Sequence, residues 1–211
     1  MKRLLIFHSA LAPYRVDFFN AIAEHYVCHI AFLSRNNRNQ PFCQEELLRD
    51  AKFSCSYLDK KVVLKDRDLN IGYIQEIKRF KPDIIIGGEY GLPLIVPYLF
   101  RRISKKKYTL YTICDDSLHI ARQCKGLRKW FRDFLVPRID NIILTTTPIA
   151  DWYKTYFHLS HAPVVFPIIQ DEKKYRSMAE KLLPIAHRYR DMFQLKGKKI
   201  FLFVEIGRAH V

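Results

Sequence analysis

Leu4–Tyr26 reads LLIFHSALAPYRVDFFNAIAEHY, and the order of its apolar and turn-forming residues decides the fold. Leu4–Phe7 is an apolar run of the length expected for a buried strand. His8, Ser9 and Ala10–Pro13 interrupt it, and Val16, Phe19, Ala23 and Tyr26 then recur at helical spacing. The chain therefore opens strand, loop, helix. The loop falls at the carboxyl end of the first strand, where open α/β sheets hold their ligands. Pro13 fixes a backbone angle ahead of the helix, and Arg15 stands at the helix mouth with a charge that pH does not remove. An ordinary first β-α unit with a solvated arginine fits the same pattern.

The pattern repeats outward from this unit. Strands are expected at Val27–Leu33, Phe53–Leu58, Asp83–Ile86, Tyr108–Ile113, Asn141–Thr145 and Val164–Phe166. Helices are expected at Gln44–Ala51, over 71–81, at Leu92–Ile103, Leu118–Val136 and Ile149–Phe157, with Asp59–Asp68 as a charged connection. Short apolar strands alternating with helices define a doubly wound α/β domain with a mainly parallel, Rossmann-like sheet covered on both faces. Asp171–Phe193 keeps helical spacing, and Pro184 within it should kink or split the helix.

The composition narrows the class. At 49% hydrophobic residues the 211-residue chain can bury a core, and no apolar run reaches the roughly 20 residues of a membrane-spanning helix. The first strand lacks a signal-peptide cleavage site, so a cytoplasmic location is expected. Cys28, Cys43, Cys55, Cys114 and Cys124 are odd in number and show no Cys-x-x-Cys spacing, which signals neither a disulfide framework nor a zinc site. A net charge of +15 points to an anionic partner. The sequence has no phosphate loop of the Gly-x-x-x-x-Gly-Lys type, no Gly-x-Gly-x-x-Gly fingerprint and no Gly-x-Ser-x-Gly elbow. Adjacent aspartates do not suit a paired-carboxylate glycosidase.

The run Pro13-Tyr14-Arg15-Val16-x-Phe18-Phe19-Asn20-Ala21-Ile22-Ala23 resembles the start of glycosyltransferases of family 4. The resemblance spans residues 1 to about 204 and implies the acceptor-side half of a GT-B enzyme, two Rossmann-like domains facing across a cleft. It implies transfer of a sugar from a nucleotide-sugar to a hydroxyl of a glycan or lipid-linked acceptor, as in polysaccharide or bacterial envelope synthesis. Retention at the anomeric carbon, no metal and no cofactor beyond the nucleotide-sugar co-substrate are implied with it. The expected organisation is an acceptor-side domain over 1–168, a helical linker over 169–195, and the first strand of a donor-binding domain over 196–204. Most donor contacts would then lie in that second domain, and the 211-residue chain alone is expected to transfer no sugar.

Three loops at carboxyl ends of strands collect the candidate site residues: His8–Arg15, Gly87–Gly91 and Cys114–His119. Pro13, Tyr14 and Arg15 are candidates for substrate binding. So are Gly87 and Gly88, which let backbone approach a ligand or simply make a tight turn, and Glu89 and Tyr90, which can bond sugar hydroxyls. Tyr111–Asp116 resembles the place where many family members end a strand in His, often followed by Asp; here Cys114 takes the His position. Asp115, Asp116 and His119 are the catalytic candidates there, although Asp116 or Ser117 also suits a helix cap.

The expected helix Leu118–Val136 has an apolar stripe of Ile120, Cys124, Leu127, Phe131 and Phe134 opposite Arg122, Lys125, Lys129 and Arg132. Those four basic residues form either a solvated face or a peripheral contact with an anionic membrane surface. A non-catalytic basic module binding an anionic surface or nucleic acid is the alternative function, with nucleic acid disfavoured because no recognition signature appears.

Ile206–Val211, preceded by Glu205, resembles the translation of a common short-read sequencing adapter. Re-reading the locus is expected to replace Glu205–Val211 by Gly-Arg and to extend the coding sequence by about another domain's length. A stop codon directly after Val211 in the genomic DNA would refute that expectation.

Overall fold

The computed structural model describes residues 1–36, 42–58, 61–64, 67–104, 107–167 and 172–201, with backbone alone for 61–64 and 67–70. The chain divides into two units, 1–168 and 169–211. The first unit runs β1 (Arg3–His8), α1 (Pro13–Ala23), β2 (Val27–Phe32), α2 (Gln44–Leu48), β3 (Ser54–Tyr57), β4 (Lys61–Leu64), β5 (Arg67–Asn70), α3 (Tyr73–Phe80) and β6 (Ile84–Gly88). It continues through α4 (Leu92–Ser104), β7 (Thr109–Cys114), α5 (Leu118–Gln123), α6 (Gly126–Leu135), β8 (Asn141–Leu144), α7 (Thr147–Tyr156) and β9 (Val164–Val165).

Seven strands form one sheet in the order β3-β2-β1-β6-β7-β8-β9, and every pairing in it is parallel. The chain starts mid-sheet, builds outward through β2 and β3, then crosses to the other side of β1 at β6. Strand order thus reverses at the β1–β6 seam, where Ile6 pairs with Ile30 on one edge and Ile86 on the other.

Successive side chains of β1 point to opposite faces, and both faces are covered. Leu4 and Ile6 pack with Val16 and Phe19 of α1, while Leu5 and Phe7 pack with Tyr73 and Ile77 of α3 and Leu94 of α4. Each fully buried side chain of this kind is worth about 2 kcal/mol of apolar transfer. A third cluster joins Cys114, Leu144, Ala121, Ile149 and Tyr153 beneath α5 and α7.

Three expectations are corrected. The connection over 59–68 carries an antiparallel ladder, Lys61–Leu64 against Arg67–Asn70; the β-branched pair Val62-Val63 favours a strand that the surrounding charges conceal. The helix expected over 118–136 is two helices, because Cys124 and Lys125 are extended and Gly126 takes φ +61°. In the second unit, α8 (Glu172–Met192) runs through Pro184 as one helix, so of the expected kink or split the split does not occur. Of the strand expected over 196–204, residues 202–204 lie outside those described, and 196–201 adopt no strand. The residues 205–211 lie outside them entirely.

Gly87 sets how closely α4 approaches the sheet. A Cβ there would sit 2.7 Å from the Pro93 carbonyl oxygen and 2.9 Å from the Leu94 Cα, both backbone atoms of the α4 first turn. At Gly88 the nearest atom is 3.4 Å away. Gly87→Ala is expected to cost about 2 kcal/mol, roughly 5 °C in a thermal melt, and Gly88→Ala far less. Equal melts for the two variants would remove this packing role from Gly87.

Candidate functional site

A cavity of about 320 Å³ opens at the carboxyl ends of the strands, over the β1–β6 seam. It is built by consecutive strand ends: His8 and Ser9 after β1, Gly88 and Glu89 after β6, Asp115 after β7, Thr145 after β8 and Phe166 after β9. Tyr14 and Arg15 reach it from the first turn of α1. Of the sequence candidates, Tyr14, Arg15, Gly88, Glu89 and Asp115 line this one cavity.

The others lie elsewhere. Pro13 is the exposed first residue of α1 and does not line it. Gly87 is buried under α4, so its lack of a side chain serves helix packing and not a ligand. Tyr90 points into the third core cluster, where its hydroxyl bonds that of Tyr153 and has no sugar to reach. Asp116 is buried, with Arg128 Nη2 donating to its two oxygens at 2.9 and 2.8 Å. Ser117 is the cap of α5, accepting from the Ile120 amide at 3.3 Å, so Asp116 is an anchor and not the cap. His119 is exposed on α5 outside the cavity. Arg122 and Lys125 are exposed, but Arg132 is buried, so the expected four-residue basic face does not form.

Arg15 is the unusual charge. It is only 9% exposed, and its Nε is buried without a hydrogen-bond partner among the described residues. Its guanidinium lies 5.4 Å from the Tyr14 ring centroid and 5.7 Å from that of Phe18. No acidic residue occupies the first turn of α1, whose Ala12 cap offers no side-chain acceptor. A cation is thus added to the positive end of a helix dipole, a combination that attracts anions.

His8 opens one of the three candidate loops but is assigned no role of its own there, and it lines the cavity. Its Nδ1 lies 3.1 Å from the Ala10 carbonyl oxygen, which can only accept, so Nδ1 carries the proton. Burial and then the nearby Arg15 charge push its pKa down to about 4. The ring is therefore neutral at pH 7, and Nε2 keeps its lone pair. Phe19 and Phe32 hold it edge-on at centroid distances of 5.5 and 6.3 Å. The sequence signal was a histidine ending the central strand beside a small residue.

Glu89 and Arg128 complete the rim. Glu89 takes φ +44°, a backbone region uncommon for residues with a side chain, and its amide donates to the Ile113 carbonyl at 3.0 Å. Thr112 Oγ1 donates to the Glu89 carbonyl at 2.8 Å and locks the bend. Burial raises the Glu89 pKa, with Arg128 holding it down and Asp116 and Asp115 pushing it further up. Arg128, which sequence reasoning missed, donates to Glu89 at 3.1 Å and so ties α6 to the rim. Cys114 is buried and its thiol is pushed up to about 12, so it offers no thiolate at neutral pH. The arrangement can hold an anionic group at Arg15 and accept hydroxyl hydrogen bonds at His8 Nε2 and Asp115. No group of three metal-ligating side chains occurs among the described residues.

No protein-family model matches the chain, and no curated protein matches it. Solved structures similar to it include an NADH-dependent reductase, A1-R', complexed with NAD, at 12% identity and TM-score 0.39 over 69% of this chain and 79% of that one. Another is apo UGT2 of Phytolacca americana, at 11% identity and TM-score 0.44 over 84% of this chain. The chain spans 54% of that protein. The class defined by the sheet is an α/β, Rossmann-like domain with a pocket at its strand-order reversal.

The His8 environment has a pH signature. Its folded pKa of about 4 lies below the ordinary 6.5, so protons bind the unfolded chain more readily. Stability from this group is complete above about pH 6.5 and declines as pH falls toward 4, by up to ~3 kcal/mol. An imidazole NMR titration should leave His8 neutral down to about pH 4. Titration near 6.5 would mean a solvated ring.

Proposed function

We propose that this cavity binds the anionic group of a sugar-bearing substrate, and that the domain is the acceptor-side half of a sugar transferase. The observation that carries the reading is Arg15, a nearly buried guanidinium at a helix N-terminus in the strand-reversal pocket, whose Nε has no hydrogen-bond partner among the described residues. A phosphate or diphosphate supplies the charge and the paired acceptors that such a group needs. The motif around Arg15, with its resemblance to family 4 glycosyltransferases, supports the choice of a sugar nucleotide as donor and a hydroxyl-bearing glycan or lipid-linked glycan as acceptor.

In this reading each residue has one task. Arg15 offsets charge on the phosphate and positions it. His8 Nε2 and Asp115 accept hydrogen bonds from acceptor hydroxyls, and the bend at Glu89 brings its carboxylate to the same rim. Asp116 acts through Arg128 by fixing Glu89, as a positioning residue. Donor-sugar contacts come from the second domain, and the nucleotide-sugar is co-substrate with no further cofactor.

The 211-residue chain should bind pyrophosphate in calorimetry, weakening with salt. Arg15→Ala should lower that affinity at least tenfold, or ~1.4 kcal/mol, while Asp115→Asn should not weaken it. In the enzyme completed with its donor half, Arg15→Ala and Asp115→Asn should each cut turnover at least tenfold with unchanged melts. Undiminished pyrophosphate binding by Arg15→Ala would refute the anion site, and full turnover in both variants would refute the transferase role.

A further inference from the structure

On α6, Phe131 and Phe134 pack on the core as the sequence pattern expects, but Leu127 and Arg132 exchange sides. Leu127 is 74% exposed and Trp130 59% exposed, whereas Arg132 is 2% exposed. Ile120 on α5 is also exposed. Trp130 is a fixed projection: its ring stacks on Phe134 at 5.7 Å with planes 5° apart and meets Phe131 edge-on at 4.9 Å. Phe134 in turn rests against Tyr98 of α4. Two large apolar side chains thus stand out from a rigid base.

Their surroundings are cationic. Arg122 and Lys125 are exposed, and neither has an ion-pair partner among the described residues. Lys129 is paired with Asp133, and Arg128 is taken by Asp116 and Glu89. Apolar groups that include a tryptophan, beside unpaired cations, match the chemistry of a bilayer interface. Trp prefers headgroup depth, Leu enters the acyl boundary, and Lys and Arg meet anionic headgroups. An apolar protein groove would leave Arg122 and Lys125 without counter-ions, and a purely acidic partner would leave Leu127 and Trp130 in water. No helix among the described residues is long and apolar enough to cross a membrane, so contact through this face is at the surface.

We propose that the α5–α6 face docks on an anionic lipid bilayer, with Leu127 and Trp130 entering the interface and Arg122 and Lys125 on lipid phosphates. Arg128 follows Leu127 in the chain and bonds Glu89 at the cavity rim, so α6 joins the docking face to the cavity wall. Docking depends on this surface alone and is independent of what the cavity binds.

The chain's two tryptophans make the test direct. Phosphatidylcholine vesicles are prepared with and without about one third phosphatidylglycerol, and binding is read by co-sedimentation and tryptophan emission. Trp152→Phe leaves Trp130 as reporter; its emission should shift to the blue and resist an aqueous quencher on anionic vesicles only. Trp130→Phe should bind with no shift from Trp152. Leu127→Asp combined with Trp130→Asp should abolish binding while a cooperative melt shows the fold retained, since both side chains are largely exposed. Arg122→Gln and Lys125→Gln should each weaken binding about fivefold, the equivalent of ~1 kcal/mol per basic residue at an anionic surface. Binding without a Trp130 shift, retained binding by the double aspartate variant, or no binding to either vesicle would overturn the proposal. So would a concentration-dependent Trp130 shift without vesicles, which would mean a protein covers the face.

Discussion

Strand β1 is hydrogen-bonded along both edges, to β2 and to β6, and is covered on both faces. A strand so enclosed presents only its ends to solvent. Because the chain leaves β1 toward β2 and later returns on the other side at β6, the two crossovers diverge from the seam between them. The cavity is the space they leave. Its wall follows from topology: each parallel strand delivers its carboxyl end to the same rim, so His8, Glu89 and Asp115 meet although about 80 and 26 residues separate them along the chain.

Within that space, electrostatics distinguish one arginine from its neighbours. Removing a guanidinium from water costs several kcal/mol unless hydrogen bonds and opposite charge offset it. Arg132 is more deeply buried than Arg15, yet its Nη1 donates to the Ala121 carbonyl at 2.6 Å and its Nε to Asp133 at 3.2 Å. Arg128 has both oxygens of Asp116 and one of Glu89. The fold therefore supplies acceptors where an arginine serves structure. Arg15 has Nε buried without one among the described residues, and it faces the cavity. The neutral state of His8 agrees with this field, since the Arg15 charge works against a second proton nearby.

The fold was legible because apolar runs of strand length alternate with helical stripes, and the observed strands match most expected ones within a residue or two: Leu4–Phe7 became Arg3–His8, and Asn141–Thr145 became Asn141–Leu144. The loops that close the cavity followed from the rule that ligands lie at carboxyl ends. Side-chain direction within those loops did not follow. Gly87 and Tyr90 sit within two residues of Glu89, yet the first packs under α4 and the second turns into the core. The positive φ at Glu89 decides which side chain faces out, and it is stabilised by Thr112 from a neighbouring strand. The tautomer of His8 depends on the Ala10 carbonyl and the role of Arg128 on a helix break, both consequences of tertiary geometry.

That break also accounts for the buried Arg132. A single helix over 118–136 would place Leu127 in the core with Phe131 and Phe134, and Arg132 on the surface. Extended residues at Cys124 and Lys125, followed by Gly126 at φ +61°, allow α6 to rotate independently of α5. Ending α5 there frees its last carbonyls, because no further turn of helix supplies their amide partners. Ala121 lies in that final turn, and Arg132 supplies its donor, with the guanidinium also 5.4 Å from the Trp152 ring centroid and 5.7 Å from those of Tyr156 and Phe157. A cation near a helix C-terminus is also favoured by the helix dipole. The break therefore creates the acceptor that makes the buried charge tolerable, and Leu127 in the first turn of α6 and Trp130 stay outside the core while Phe131 and Phe134 pack on it.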